Sequence, residues 1–135
     1  MSKQLEHEQA LVRAFIIPKR QERYLELLAK PKRRYDATCE FAHFKHLDMR
    51  FAVPIPPSQQ SPSGISRILR SKGAGDVCHV VSEYSGIDGK EMSLEEALEE
   101  IVGRSMGTFL SCIEGRLAYF EDEDQRWILE RTEKR

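Results

Sequence analysis

The sequence predicts an α+β fold: N-terminal helices, a central βαβ unit and a C-terminal antiparallel three-strand meander, joined in one mixed sheet. Three observations predict it. Apolar residues in the first third recur at helical spacing and are interrupted by prolines. From Arg50 the period shortens to that of strands, and the last third holds three short apolar segments separated by turn residues. A chain of 135 residues fits one domain, 1–135, with a helical part over 1–46 and a sheet part over 50–131.

Leu11, Val12, Phe15 and Ile16 give the first helix its inner stripe, and Pro18 ends or kinks it by removing a donor. A second helix runs from Pro18 toward Ala29 with Tyr24, Leu25 and Leu28 inward. Pro31, tolerated in a first turn, opens a third with Tyr35, Cys39 and Ala42 along it. Segment 50–55 reads as a short strand that Pro54 confines to a sheet edge or a strand end. Ser61-Pro62 is an N-cap followed by proline at the first helical position, Ile65, Ile68 and Leu69 form the buried stripe, and Gly73 ends that helix.

Segment 77–84 is apolar on both faces, as in a central strand covered on both sides. Ser93-Leu94-Glu95-Glu96 is a capping box, followed by Leu94, Ala97, Leu98, Ile101 and Val102 at core spacing. Gly103 closes this helix. Strands are then expected at 108–113, 116–121 and 126–131, with turns at 114–115 and 122–125, and 132–135 fray.

Charge is uneven along the chain. Residues 1–75 carry 14 Lys and Arg against 7 Asp and Glu, a net +7, whereas 76–135 carry 7 against 15, a net -8. Such polarity makes a basic surface for phosphates or two complementary faces that self-associate, unless the halves interleave and cancel. No apolar run approaches the roughly 20 residues of a membrane helix. The polar start and three widely spaced cysteines, Cys39, Cys78 and Cys112, suit a reduced, cytoplasmic protein.

Parallel strands joined by a helix collect ligands beyond their carboxyl ends. That end would gather the 54–64 loop, the helix start at Pro62, the 85–89 turn and the capped start at Ser93. The loop's donors, Ser58, Gln59, Gln60, Ser61, Ser63 and Gly64, with Arg67, Arg70 and Lys72 on the helix, form the candidate site for an anionic or phosphate-bearing ligand. No Walker, dinucleotide or kinase pattern accompanies it, no cofactor is implied, and no catalytic residue is assigned.

Other motifs carry less. Gly103-Arg104-Ser105-Met106-Gly107 matches the G-x-S-x-G string of serine hydrolases, but a nucleophile elbow needs strand then helix, and here a helix precedes a strand. A small hydrolase using Ser105 or a cysteine is the enzymatic alternative. Cys39, His43 and His46 fall on one helical face with Asp36 nearby, a set able to bind zinc. Without a CxxC pair, packing is the reading preferred for them and no metal is assigned. Lys19, Arg20, Arg23, Lys30, Lys32, Arg33 and Arg34, with Tyr24 and Tyr35, could meet nucleic acid, yet no RNA- or DNA-binding string supports it. A solvated face paired with Glu22, Glu26, Asp36 and the acidic C-terminal half accounts for it better.

Phe15-Ile16-Ile17-Pro18-Lys19-Arg20, Arg23-Tyr24-Leu25, Ala42-His43-Phe44, Ile55-Pro56-Pro57-Ser58-Gln59-Gln60 and Gly115-Arg116-Leu117-Ala118-Tyr119-Phe120-Glu121 resemble a group of small prokaryotic proteins to which no activity is attached. The resemblance covers most of the chain and implies a bacterial-type cytosolic protein. The leading expectation is binding of an anionic ligand at the 54–64 loop. The alternative is a protein-interaction or homo-oligomerising module.

Overall fold

Three helices begin with the same device. Ser2, Ser61 and Ser93 each turn a hydroxyl onto a backbone N–H of the first turn, those of Leu5, Gly64 and Glu96, at 3.0–3.1 Å. The structure, a computed structural model, describes residues 2–131. The expected fraying of 132–135 lies outside them.

Helix α1 (Lys3–Phe15) is followed by α2 (Pro18–Leu28), with Pro18 at the helix start as expected. The third helix is not continuous: a 3-10 turn at Pro31–Arg33 leads into α3 (Arg34–Thr38) and a second 3-10 turn at Cys39–His43. The tighter turns change the phase, so Ala37, Thr38 and Phe41 face inward while Tyr35 and Cys39 are exposed. That corrects the expected inner face. Strand β1 (Ala52–Pro54), α4 (Pro62–Ser71), β2 (Val77–Ser82), β3 (Glu91–Ser93), α5 (Leu94–Ile101) and strands β4 (Thr108–Ile113), β5 (Leu117–Glu121) and β6 (Arg126–Glu130) complete the order.

The six strands run β1-β6-β5-β4-β2-β3, and every pairing is antiparallel. The α+β class and the β4–β5–β6 meander stand as expected. The mixed sheet and the adjacent parallel pair do not. Strands β1 and β2 point the same way, but three strands lie between them, so their carboxyl ends are about 19 Å apart at ordinary strand spacing. Local hairpins account for the difference. The meander closes on itself through short turns, β2 pairs with β4, and β6 is left to receive β1 in the antiparallel sense, the more stable per residue. Strand β3, too short and polar to stand out in sequence, pairs with β2 across the 83–90 turn.

The sheet is covered on both faces. On one, α1, α2 and the segment after α3 pack Leu11, Phe15, Tyr24, Phe41 and Phe44 onto Val81, Phe109, Phe120 and Leu129. Phe41 meets Phe109 and Phe44 edge to face, with centroids 5.0 and 5.1 Å apart. On the other, α4 and α5 pack Ile65, Leu69, Leu94 and Leu98 onto Cys78, Val80, Leu110 and Tyr119. Gly107 lies against the Phe41 backbone, where a Cβ would collide.

One ion-pair network fastens the N-terminal layer. Arg34 grips Glu8 through both terminal nitrogens, at 2.7 and 2.8 Å, and Asp88 through Nε and Nη2, at 2.9 and 3.0 Å. Its Nη1 also donates to Leu28 O, and Asp88 accepts from Ser82 N. Burial alone would lower the Arg34 pKa, but hydrogen bonds to Asp88 and Glu8 hold it above its ordinary value.

Removing the guanidinium leaves the Glu8 carboxylate, 2% exposed, without its cation. Arg34→Ala is therefore expected to cost about 3–5 kcal/mol in denaturant unfolding, whereas Arg33→Ala, which breaks the exposed pair with Asp36, costs under about 1 kcal/mol. Equal effects at the two positions would show that Arg34 is not the clamp.

Candidate functional site

The nine predicted ligand residues do not converge. Ser58 and Gln59 lie in a 3-10 turn at Pro57–Gln59. Ser61 spends its hydroxyl on Gly64 N and its carbonyl on Ile65 N, and Pro62 has no N–H. The start of α4 thus offers an incoming anion little beyond the Ser63 amide. Gly64 owes its place to packing, since a Cβ there would sit 2.5 Å from Gln59 O. Arg70 is shared between Glu95, with Nη2–Oε1 at 2.7 Å, and Asp76 at 3.0 Å, while Lys72 reaches Glu130 at 2.7 Å. Of the three cations, among the described residues, Arg67 alone enters no ion pair; it lies exposed in an open groove of about 260 Å³ with Ser63, Ser66, Arg70, Glu95 and Glu99. Its two glutamates oppose the binding of an anion.

Ser93 caps α5 at the amino end of β2, opposite to where the 54–64 loop lies, and the 85–89 turn sits beyond β2 across the sheet. The expected gathering of these loops does not occur. Gln60 turns instead toward the end of β5. Its Nε2 donates to Ile55 O and its Oε1 accepts from Arg126 Nη1 at 3.2 Å. There it lines a polar pocket of about 310 Å³ with Ser105 and the 122–126 turn.

That pocket rests on a filled anion nest. Glu121, wholly buried, accepts from Gly103 N at 3.1 Å, Ser105 N at 2.9 Å and Tyr119 Oη at 2.7 Å, with Arg126 Nε 3.6 Å away. Ser105 takes a left-handed φ of 62° and Gly103 one of 87°, and the amides of these two alternate residues converge on the carboxylate while that of Arg104 turns back to Ile101 O. The G-x-S-x-G string is thus a structural loop wrapped around an internal anion. No histidine lines the pocket to serve Ser105 as a base. Asp122 is likewise occupied, accepting from the amides of Phe44, Asp124 and Gln125.

Cys39, His43 and His46 do share one groove, of about 290 Å³, with Glu40. Among the described residues, however, no group of three or more His, Cys, Asp or Glu side chains is arranged to hold a metal ion. Glu40 is held below the usual carboxylate range despite burial, because Arg23 and the Tyr24 hydroxyl bond to it. Burial and the neighbouring Glu40 and Asp36 push the Cys39 thiol up; burial pushes Cys78 up to about 12 and Cys112 higher still. None has the lowered pKa of a thiol nucleophile. Of the basic N-terminal residues, Lys30 and Arg33 pair as expected with Glu26 and Asp36, Arg23 takes Glu40, Arg34 takes Glu8 and Asp88, and Lys19, Arg20 and Lys32 enter no ion pair among the described residues.

Comparison of the chain with protein-family models, curated proteins and solved structures gives no match. Sequence reasoning missed Glu121 and Arg126. Strand parity places Glu121 on the face of Leu117 and Tyr119, so a carboxylate in the inward phase was a readable signal.

The thiol chemistry gives a direct check. An alkylating reagent at neutral pH is expected to modify Cys39 alone, slowly, and faster as pH rises, while Cys78 and Cys112 react only after unfolding; mass spectrometry of the labelled peptides reads this. Rapid labelling of Cys78 or Cys112 in the native protein would overturn the assignment.

Proposed function

We propose that the chain is an interaction module that associates through its two outer helical layers, the preferred partner being a second copy of itself. The placement of α5 carries this reading. Its eight residues include Glu95, Glu96, Glu99 and Glu100 and no basic residue, and all four acids lie on its outer side. Across the sheet, residues 1–46 carry 10 Lys and Arg against 6 Asp and Glu, a net +4. The halves interleave in part, since Arg70 takes Glu95 and Arg34 takes Asp88. Among the described residues, Glu96 and Glu99 on one side and Lys19, Arg20 and Lys32 on the other enter no ion pair.

Because these surfaces face away from each other, they satisfy one another only between molecules, in a head-to-tail contact. Sheet edges are poorer candidates. Strands β1 and β3 have three residues each, β1 ends in Pro54, and both edges of the meander are already paired. No helix among the described residues is long and apolar enough to cross a membrane. Three unpaired thiols suit a reducing compartment such as the cytoplasm. A second reading, an anionic small molecule at the start of α4, keeps the support of exposed Arg67 beside Ser63.

Light scattering at about 50 mM and about 500 mM salt separates these readings, since screening shortens the reach of surface charge. Association at low salt that dissolves at high salt, and is lost in a Glu96→Lys, Glu99→Lys variant, is the expected result. A monomer at every salt and concentration overturns self-association. For the second reading, inorganic phosphate should raise the melting temperature of the native protein and not that of Arg67→Ala.

A further inference from the structure

Two buried histidines meet beneath the first turns of α1. His7 on α1 and His79 on β2, 9% and 4% exposed, stack with ring centroids 4.0 Å apart and planes 22° from parallel. Gln4 fixes the state of one of them. Its Nε2 donates to Glu8 Oε2 at 2.6 Å and to Val80 O at 3.0 Å, so its Oε1 faces His79 Nδ1 at 2.9 Å. A carbonyl oxygen only accepts, and His79 therefore carries its hydrogen on Nδ1. His7 Nδ1 lies 2.7 Å from Ser111 Oγ on β4.

We propose that the His7–His79 stack is an acid-released latch: the stacked pair holds the first turns of α1 on β2 and β4, and protonation of His7 frees that segment from the sheet. Two uncharged imidazoles stack as aromatic rings do, but a positive charge on His7 would be shielded from water and repelled by His79.

The surrounding charges do not cancel that repulsion. From α1, Lys3 adds a positive charge and Glu6 an exposed negative one, while Glu8 is already bidentate to Arg34 of α3 and takes the Gln4 amide. Glu91 of β3 stands opposite His79 in register but is exposed, as is Glu114 beyond β4. Burial first, and then His79, lower the His7 pKa from 6.5; Glu114 and Glu6 pull the other way without reversing the shift. The unfolded chain therefore binds this proton more readily than the folded one. His7 favours the folded state fully above about pH 6.5, and that contribution is lost as pH falls through its lower folded value. Release would also withdraw Glu8 from Arg34, so the latch and the clamp open together.

Hydrogen exchange of the full chain at about pH 7.5 and about pH 5, corrected for intrinsic rates, tests this. Protection of the α1 amides is expected to be lost at the lower pH relative to that of the β4 and β5 amides. His7→Gln, which can still bond to Ser111 but does not titrate, should retain its α1 protection at the lower pH. Uniform loss, no loss, or the same loss in the variant overturns the latch. Should the variant not fold, NMR titration of the native histidines decides: a His7 pKa below its ordinary value supports the latch, and one at or above it refutes it.

Discussion

Strands β4 and β5 are apolar on both faces, and the rest of the molecule is arranged around that constraint. Phe109 and Phe120 point one way, Leu110 and Tyr119 the other, and all four are wholly buried. Neither face can be left to water, so each needs its own helical layer. The N-terminal helices supply one and α4 with α5 the other. Long connections follow from this, because the chain must cross the full sheet through α4 to pass from β1 to β2. The Arg34 clamp belongs to the same logic, since it ties α1 and α3 to the turn beyond β2, where helical and sheet parts meet.

Where local chemistry decides structure, the sequence was readable. The Ser61 and Ser93 caps, the helix start at Pro18, the α5 stripe and the meander strands emerge where spacing and turn residues place them. Strand partners were not readable in this way. Segments 50–55 and 77–84, with a helix between them, satisfied the pattern of a parallel unit, and nothing local says that β6 offers β1 a better edge. Cys39 and Tyr35 were misplaced because two short 3-10 turns, invisible to a 3.6-residue count, rotate the face of α3.

The scatter of the candidate site has a related reason. A basic helix after a polar loop reads as a place for an anion only while the partners of its cations are unknown. Arg70 meets nearby Asp76 and, like Lys72 with Glu130, a carboxylate distant in sequence, Glu95, that the fold brings beside it. The G-x-S-x-G loop shows the same thing in reverse. Its amides do hold an anion, but that anion is Glu121 of the same chain, and the geometry of recognition is used for architecture.

The aromatic cluster under the N-terminal layer constrains how the protein is made. Phe15, Tyr24, Phe41 and Phe44 belong to the first third of the chain, yet they rest on Phe109 and Phe120, and Ala52 finds its partner only at Leu129. Translation delivers the helices first, and at ordinary rates the sheet that covers them follows on the order of ten seconds later. Through that interval the four rings have only one another and the helices to pack on, and the apolar face that the sheet will cover stays open. The emerging chain thus depends on whatever shields nascent segments at the ribosome, and a truncation before β4 would yield a sticky helical fragment rather than a smaller version of the fold.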